Sequence, residues 1–199
     1  GLVIPAEPLF RSSIGTGTNP VQYLGGTPTL DPTENAVIFP TASSGVIGYV
    51  DLSAASTPFT AYVAMKAINP SQYSRLICAM NDRSSGKGIM LFGSTVTVSS
   101  WASDSSTGIS SSNYFVAAIQ YDGSNHAFGY VRGDNNFINK TPNTAGRYLT
   151  LGRTDITAGG SNAEPCDVEV KYIGVVSEAE STTLLQNNAI NIYNSFLGS

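Results

Sequence analysis

The stretch FVAAIQYDGSNHAFGYVRGDNNFINK, residues 115–140, decides the fold. Two turn signals, Asp122-Gly123 and Gly133-Asp134, divide it into three runs rich in Phe, Val, Ile and Tyr. Glycine beside aspartate supplies the positive φ that a tight hairpin needs, and β-branched and aromatic residues fill a pleated surface. The reading is three short strands running up, down and up. His126, the only histidine, falls on the first of these hairpins and reads as a surface residue.

The same grammar continues on both sides. In PFTAYVAMKAINP (58–70), Phe59, Ala61, Val63 and Met65 alternate with Thr60, Tyr62, Ala64 and Lys66, the period of a half-buried strand. RLICAM (75–80) and GIMLFG (88–93) are apolar runs joined by the turn-rich NDRSSGKG, which predicts a buried hairpin. STVTVSSW (94–101) sets Val96 and Val98 inward and Thr95, Thr97, Ser99 and Trp101 on a polar face; RYLTLG and CDVEVKYIGVV complete the strands. Only after Ser177 does the period change. Ser177-Glu178-Ala179-Glu180 matches a capping box, and Leu185, Ala189, Ile192 and Phe196 form an apolar stripe, predicting a helix from about Glu178 to Phe196 docked on the β body. The expected fold is all-β, a sandwich of two antiparallel sheets with one C-terminal helix.

Residues 1–34 are rich in Pro, Gly and Thr, and Pro5, Pro8, Pro20 and Pro28 prevent a useful helix, so they read as a connecting arm with one short strand at most, ahead of a domain at 35–199. The 199 residues suit one domain; charged residues are 12% and hydrophobic ones 41%, which excludes a disordered, self-repelling chain. A net charge of −4 without any Lys/Arg cluster argues against a nucleic-acid partner. No apolar run is long enough to span a bilayer, so no membrane insertion is expected. The chain opens at Gly1 without a basic, apolar signal segment, and a leader or larger parent is expected to have been cut away. Cys78 and Cys166 lack a neighbouring His or Cys at zinc spacing and sit beside apolar runs, which favours two buried free thiols over a disulfide.

The order of these segments resembles the concanavalin A-like lectin/glucanase superfamily, in particular its laminin-G-like branch, from about Asn35 to Phe196. The residues that carry the resemblance are NAVIFPTASSGVIGYVDLS, FTAYVAMKA, NYFVAAIQYDGSNHAFGYVRGD, RYLTLGR, and VEVKYIGVVSEAE with its helix. The closing strand, Ser-Glu-Ala-Glu and helix are similar to domains on bacteriophage tail and virion proteins and on bacterial surface proteins. The resemblance implies a jelly roll that often presents a glycan-binding surface, at an extracellular or virion location.

Catalysis finds no anchor. A glycosidase of this superfamily needs paired carboxylates about 5–5.5 Å apart. The nearest approach, Glu164-Pro165-Cys166-Asp167-Val168-Glu169, has Pro165 where the family's motif has Glu. Asp167, Glu169 and Lys171 alternate with Val168, Val170 and Tyr172 and read as a solvated strand face. No Ser lies in a G-x-S-x-G elbow. No cofactor is expected; a structural calcium would draw on Asp82, Asp104, Asp134 and Asp155, which all fall in expected loops without a common spacing.

The expected function is non-catalytic glycan recognition. Trp101, the only Trp, either offers a flat platform to a sugar ring or folds over the core edge. Tyr73, Asn81, Asp82 and Arg83 beside the same hairpin, and Asp104 and Asn113 flanking the Ser-rich segment after Trp101, supply planar polar groups that suit either a glycan or plain loop solvation. The alternative is a structural module that pairs with copies of itself or with neighbouring virion proteins.

Overall fold

A computed structural model describes residues 22–24, 27–40, 47–51, 58–80, 89–99, 104–123, 126–131, 135–140, 148–153 and 164–197. In chain order the strands are β1 (Gln22–Leu24), β2 (Thr29–Asp31), β3 (Ala36–Phe39), β4 (Ile47–Asp51), β5 (Phe59–Ala67), β6 (Arg75–Met80), β7 (Ile89–Phe92), β8 (Thr95–Ser99), β9 (Asp104–Ser110), β10 (Phe115–Tyr121), β11 (His126–Val131), β12 (Asn135–Lys140), β13 (Tyr148–Leu151) and β14 (Val168–Val176), followed by helix α1 (Thr182–Phe196). They form two seven-stranded antiparallel sheets. Sheet I has the order β1-β4-β13-β6-β7-β8-β9, and sheet II the order β12-β11-β10-β5-β14-β3-β2.

The decisive stretch forms the three expected strands, β10 pairing with β11 and β11 with β12, up, down and up, while the Gly133-Asp134 turn lies outside the described residues. Strand parity then builds the core. Phe59, Ala61, Val63 and Met65 of β5, Phe115, Ala117 and Ile119 of β10, and Val168 and Val170 of β14 face Ile77, Ala79, Ile89, Leu91, Val96, Val98, Leu149 and Leu151 of sheet I in one apolar cluster. Within residues 1–34, Gln22–Leu24 pairs with β4 and Thr29–Asp31 with β3, so this segment adds an edge strand to each sheet. Cys78 and Cys166 are free and buried, as expected.

Several expectations change, first in residues 1–34, which hold two short strands where one at most was expected because each finds a sheet edge to pair with. The β5 strand is buried on both faces, not half-buried, because α1 covers the outer face of sheet II: Tyr62, Ala64, Val116, Ala118 and Tyr172 pack with Leu185, Ala189 and Ile192. The helix starts one turn later than the capping box predicts; its N-cap is Ser181, whose side chain accepts from the Leu184 N–H. Glu180 is instead drawn inward, accepting from the Tyr62 hydroxyl and from Asn188 Nδ2 at 3.1 Å, while the Gln120 amide donates to its backbone carbonyl. Phe196 does not complete the buried stripe: it is 38% exposed and rests its ring 5.0 Å from that of Tyr172. Asp104 opens a strand where a loop was expected; β9 is an edge of sheet I, and its Ser and Thr residues alternate between exposed and half-buried.

The faces of β14 change as well: a register shift between Val170 and Tyr172 turns Tyr172 toward α1, away from the core face of Val168 and Val170 on which alternation had placed it. Glu169 is buried, not solvated, because neighbouring strands bring it a cation and a phenol: Lys66 Nζ lies 3.0 Å from its carboxylate, and the Tyr114 hydroxyl donates to it. Lys171 is also mostly buried and pairs with Glu34 at 3.0 Å. Both ammonium groups lie over the Tyr114 ring, at 4.6 and 4.3 Å from its centroid.

Candidate functional site

A candidate rim is built by three turns at one end of the sandwich. Ser71-Gln72-Tyr73-Ser74 precedes β6 and is closed by its own side chains: the Ser71 N–H donates to Ser74 Oγ at 2.8 Å, and the Tyr73 N–H to Ser71 Oγ at 3.2 Å. The Ser71 hydroxyl in turn donates to Glu164 Oε2 at 2.9 Å. The carbonyl of Glu164, a residue at φ 65°, accepts from the Arg75 N–H at 3.0 Å.

The second turn, at Gly93-Ser94, is clipped to the first: the Gly93 N–H donates to the Ser74 carbonyl at 2.8 Å. Gly93 sits at φ +95°, and a Cβ there would lie 2.8 Å from the Thr95 carbonyl and 3.1 Å from that of Gln72, so only glycine fits. The third turn follows β9. The Ser111 hydroxyl reaches back to the carbonyls of Gly93 and Ser94, at 2.8 and 3.1 Å, and the Asn113 N–H donates to the Ser110 carbonyl. These bonds leave Tyr73 half exposed on a backbone held from both sides; its relative exposure is 52%.

Two arginines border this rim. A bulge in the β6–β7 ladder between Arg75 and Ile77 brings Arg75 opposite Phe92, and its guanidinium lies 5.5 Å from that ring. Arg153 follows β13 after Gly152, whose φ of +69° turns the chain. The Arg153 carbonyl accepts from the Thr150 hydroxyl at 2.7 Å.

The predicted site residues divide. Tyr73 and Asn113 lie on this rim, both exposed. Asp104 lies at the other end of β9, opposite Ser99, about 20 Å away at roughly 3.3 Å per strand residue. Asn81, Asp82, Arg83 and Trp101 lie outside the described residues, as do Asp82, Asp134 and Asp155 of the calcium expectation. Among the described residues no three His, Cys, Asp or Glu side chains converge as metal ligands. Arg75 and Arg153 were missed. Arg75 directly follows the Ser-Gln-Tyr-Ser turn, which is a readable signal, but Arg153 at the end of RYLTLGR looks like an ordinary strand-end charge.

Two titratable groups on neighbouring segments are shifted. Burial, then the Glu169 carboxylate, pushes the Tyr114 phenol up. Burial likewise pushes the Cys166 thiol up, which makes it a poor nucleophile.

No family model matches the chain, and no curated protein matches it in sequence. Among solved structures it is similar to domain 4 of AbnA, a GH43 extracellular arabinanase from Geobacillus stearothermophilus in complex with arabinotriose, with TM-score 0.58 and 12% identity over 85% of this chain and 88% of that one. It is also similar to the binding domain of botulinum neurotoxin DC in complex with SialylT, with TM-score 0.52 and 10% identity over 89% of this chain and 47% of that one. The same domain in complex with rat synaptotagmin II gives TM-score 0.51 and 10% identity over 89% and 48%. The chain thus spans about half the length of these neurotoxin structures. At these identities the likeness establishes architecture: the chain has the two-sheet antiparallel jelly-roll fold, closed by one C-terminal helix among its described residues.

Proposed function

We propose that the chain is a non-catalytic glycan-recognition domain, the receptor-binding or attachment module of a virion or cell-surface protein. On this reading it works outside the cell, takes a cell-surface glycan as partner and uses no cofactor. The observation that carries the reading is Tyr73. A large aromatic ring half exposed on a turn closed by its own hydrogen bonds gains little from the core, and that turn carries the Ser71 hydroxyl and the Glu164 carboxylate bonded to it, groups that suit sugar hydroxyls. The fold is shared with a domain in complex with arabinotriose. The non-catalytic part is supported by Glu169, whose carboxylate is occupied by Lys66 and Tyr114 rather than facing a cleft beside a second acid.

The test is a glycan array followed by titration of the best saccharide. Stacking of a base on an aromatic side chain is worth ~1–3 kcal/mol, so Tyr73→Ala should weaken binding roughly ten- to a hundred-fold, at an unchanged melting temperature. An array with no saccharide preference would refute the reading. Trp101, Asn81, Asp82, Arg83, Asp104 and Asn113 are kept from the sequence as further proposed contacts, and Trp101→Ala run in parallel tests whether the sugar depends on the indole.

A second reading, an assembly module, is favoured by one feature. Leu30 is 51% exposed on β2, the outermost strand of sheet II, and an open strand edge invites pairing with another copy. Sedimentation showing self-association that Leu30→Lys abolishes would support it.

A further inference from the structure

Three described residues other than glycine hold left-handed backbone, and two of them border the turn that carries Tyr73: Asn69 at φ 50° and Glu164 at φ 65°. Asparagine visits this region readily and glutamate does not. Glu164 also precedes Pro165, a neighbour that favours extended backbone at the residue before it. Bonds to three other segments hold the strained stretch in place. The Ile68 N–H donates to the Asp167 carbonyl and the Cys166 N–H to that of Gly152, both at 2.9 Å, while the Glu164 carbonyl accepts from the Arg75 N–H at 3.0 Å.

The result of this placement is a fixed, accessible carboxylate beside the tyrosine. Glu164 is exposed, and Tyr73 is 52% exposed. Ser71 Oγ donates to Glu164 Oε2 at 2.9 Å and accepts from the Tyr73 N–H at 3.2 Å, so the carboxylate stands no further from the Tyr73 nitrogen than these two bonds laid end to end, about 6 Å. A carboxylate accepts only and has room for about four hydrogen bonds, of which Ser71 takes one. Hydroxyl donors give it short, charge-assisted bonds, whereas a second anion is repelled. Glycine would relieve the backbone at this position, so a glutamate held there by the fold points to a task for its side chain.

We propose that Glu164 is the hydroxyl-reading group of the rim, and that the saccharide it selects is a neutral one whose hydroxyls on adjacent carbons both donate to the carboxylate while its apolar face lies on Tyr73. The assignment deepens the glycan reading above and rests on it. The two oxygens of one carboxylate accept side by side from neighbouring hydroxyls, so the group tests the hydroxyl pattern of the sugar. Its charge, in a chain of net charge −4, turns away uronic and nonulosonic acids.

The experiment prints neutral oligosaccharides beside their uronic-acid counterparts, then titrates the best neutral one and its singly deoxygenated analogues against the full chain. The neutral member should bind at least about ten-fold more tightly than its acidic counterpart, and removing either of two adjacent hydroxyls should weaken binding about ten-fold. In Glu164→Gln, which keeps the shape and an acceptor for Ser71, the parent and deoxy sugars should bind within about two-fold of one another, and the bias against the acidic member should vanish. Melting curves add a readout independent of affinity. Glu164→Gly, which relieves the backbone and removes the carboxylate, should melt no lower than the wild type yet bind the sugar no better than Glu164→Gln. Saccharide binding that prefers the acidic members, or that Glu164→Gln leaves unchanged, would leave the glycan reading standing and overturn the Glu164 assignment alone. An array on which no saccharide binds would overturn both. Melting of Glu164→Gly far below the wild type would show that the glutamate serves the fold, which also overturns the assignment.

Discussion

Replacing Glu180 by Ala tests how the helix is fastened to the sheet. Glu180 is 7% exposed and accepts from the hydroxyl of Tyr62, whose side chain is fully buried on β5, and from Asn188 on α1. Losing a hydrogen bond to a charged acceptor costs about 1.5–3 kcal/mol, and the Tyr62 O–H left without its acceptor in the interior costs up to about 1–3 more, less what the Asn188 amide, which also bonds this hydroxyl, retains. Release of the carboxylate from its buried site offsets part of this, so the net loss should be about 2–4 kcal/mol. For a chain of this length that is a fall in melting temperature of roughly 5–15 °C. The assay is urea unfolding of wild type, Glu180→Ala, Tyr62→Phe and the double variant, with the cycle giving the coupling between the two side chains. A coupling of about 1.5–3 kcal/mol with unchanged denaturant slope is expected. A coupling within the ~0.5 kcal/mol scatter of independent sites would refute the reasoning and leave α1 held by its apolar stripe alone.

Two further outcomes concern the same layer. Leu185→Asp, which buries a charge against Tyr62 and Val116, should destabilise by several kcal/mol, whereas Phe196→Ser, at a partly exposed position, should cost about 1 kcal/mol or less; thermal melts of the two separate them. Alkaline stability should fall above about pH 10: burial, then the bond to Glu180, pushes the Tyr62 phenol up, and burial with Glu169 does the same for Tyr114. The folded chain thus keeps protons that the unfolded chain releases, so this stability is intact below the ordinary tyrosine range and is lost above it. Unfolding free energies measured between about pH 8 and 11 should show a shallower alkaline decline in the Tyr62→Phe/Tyr114→Phe variant; an identical slope would count against it.

What could be read from the residues follows from how local the physics is. The strands of 115–140 announce themselves because turn chemistry and two-residue alternation act over a few positions. The helix stripe at Leu185, Ala189 and Ile192 is equally local, and it packs as expected. Its first residue was misplaced because Ser177 and Ser181 are both competent caps. The choice is made by Tyr62, more than a hundred positions away, which pulls Glu180 out of the capping role. Glu169 failed for the same reason: alternation assigns its face correctly, but only the adjacency of β5 and β10 shows that Lys66 and Tyr114 fill that face. Tyr73 was legible as an aromatic in a turn. Arg153 was not, since its burial follows from the turn at Gly152 and a ladder to β6, neither of which is written near it.

The position of β14 has a consequence for the order of events in folding. It is the last strand of the chain, yet it lies inside sheet II, between β5 and β3, rather than at an edge. Until it arrives, β5 and β3 each present an open row of backbone donors and acceptors backed by apolar side chains, the kind of surface that recruits strands from other chains. Its pairing closes a loop that takes in most of the domain, a contact slow to form and worth little until nearly everything else is in place. A ribosome must therefore deliver almost the whole domain before the sheet can seal, and a chain stopped short of Val168 is a candidate for aggregation rather than a smaller working version of the fold.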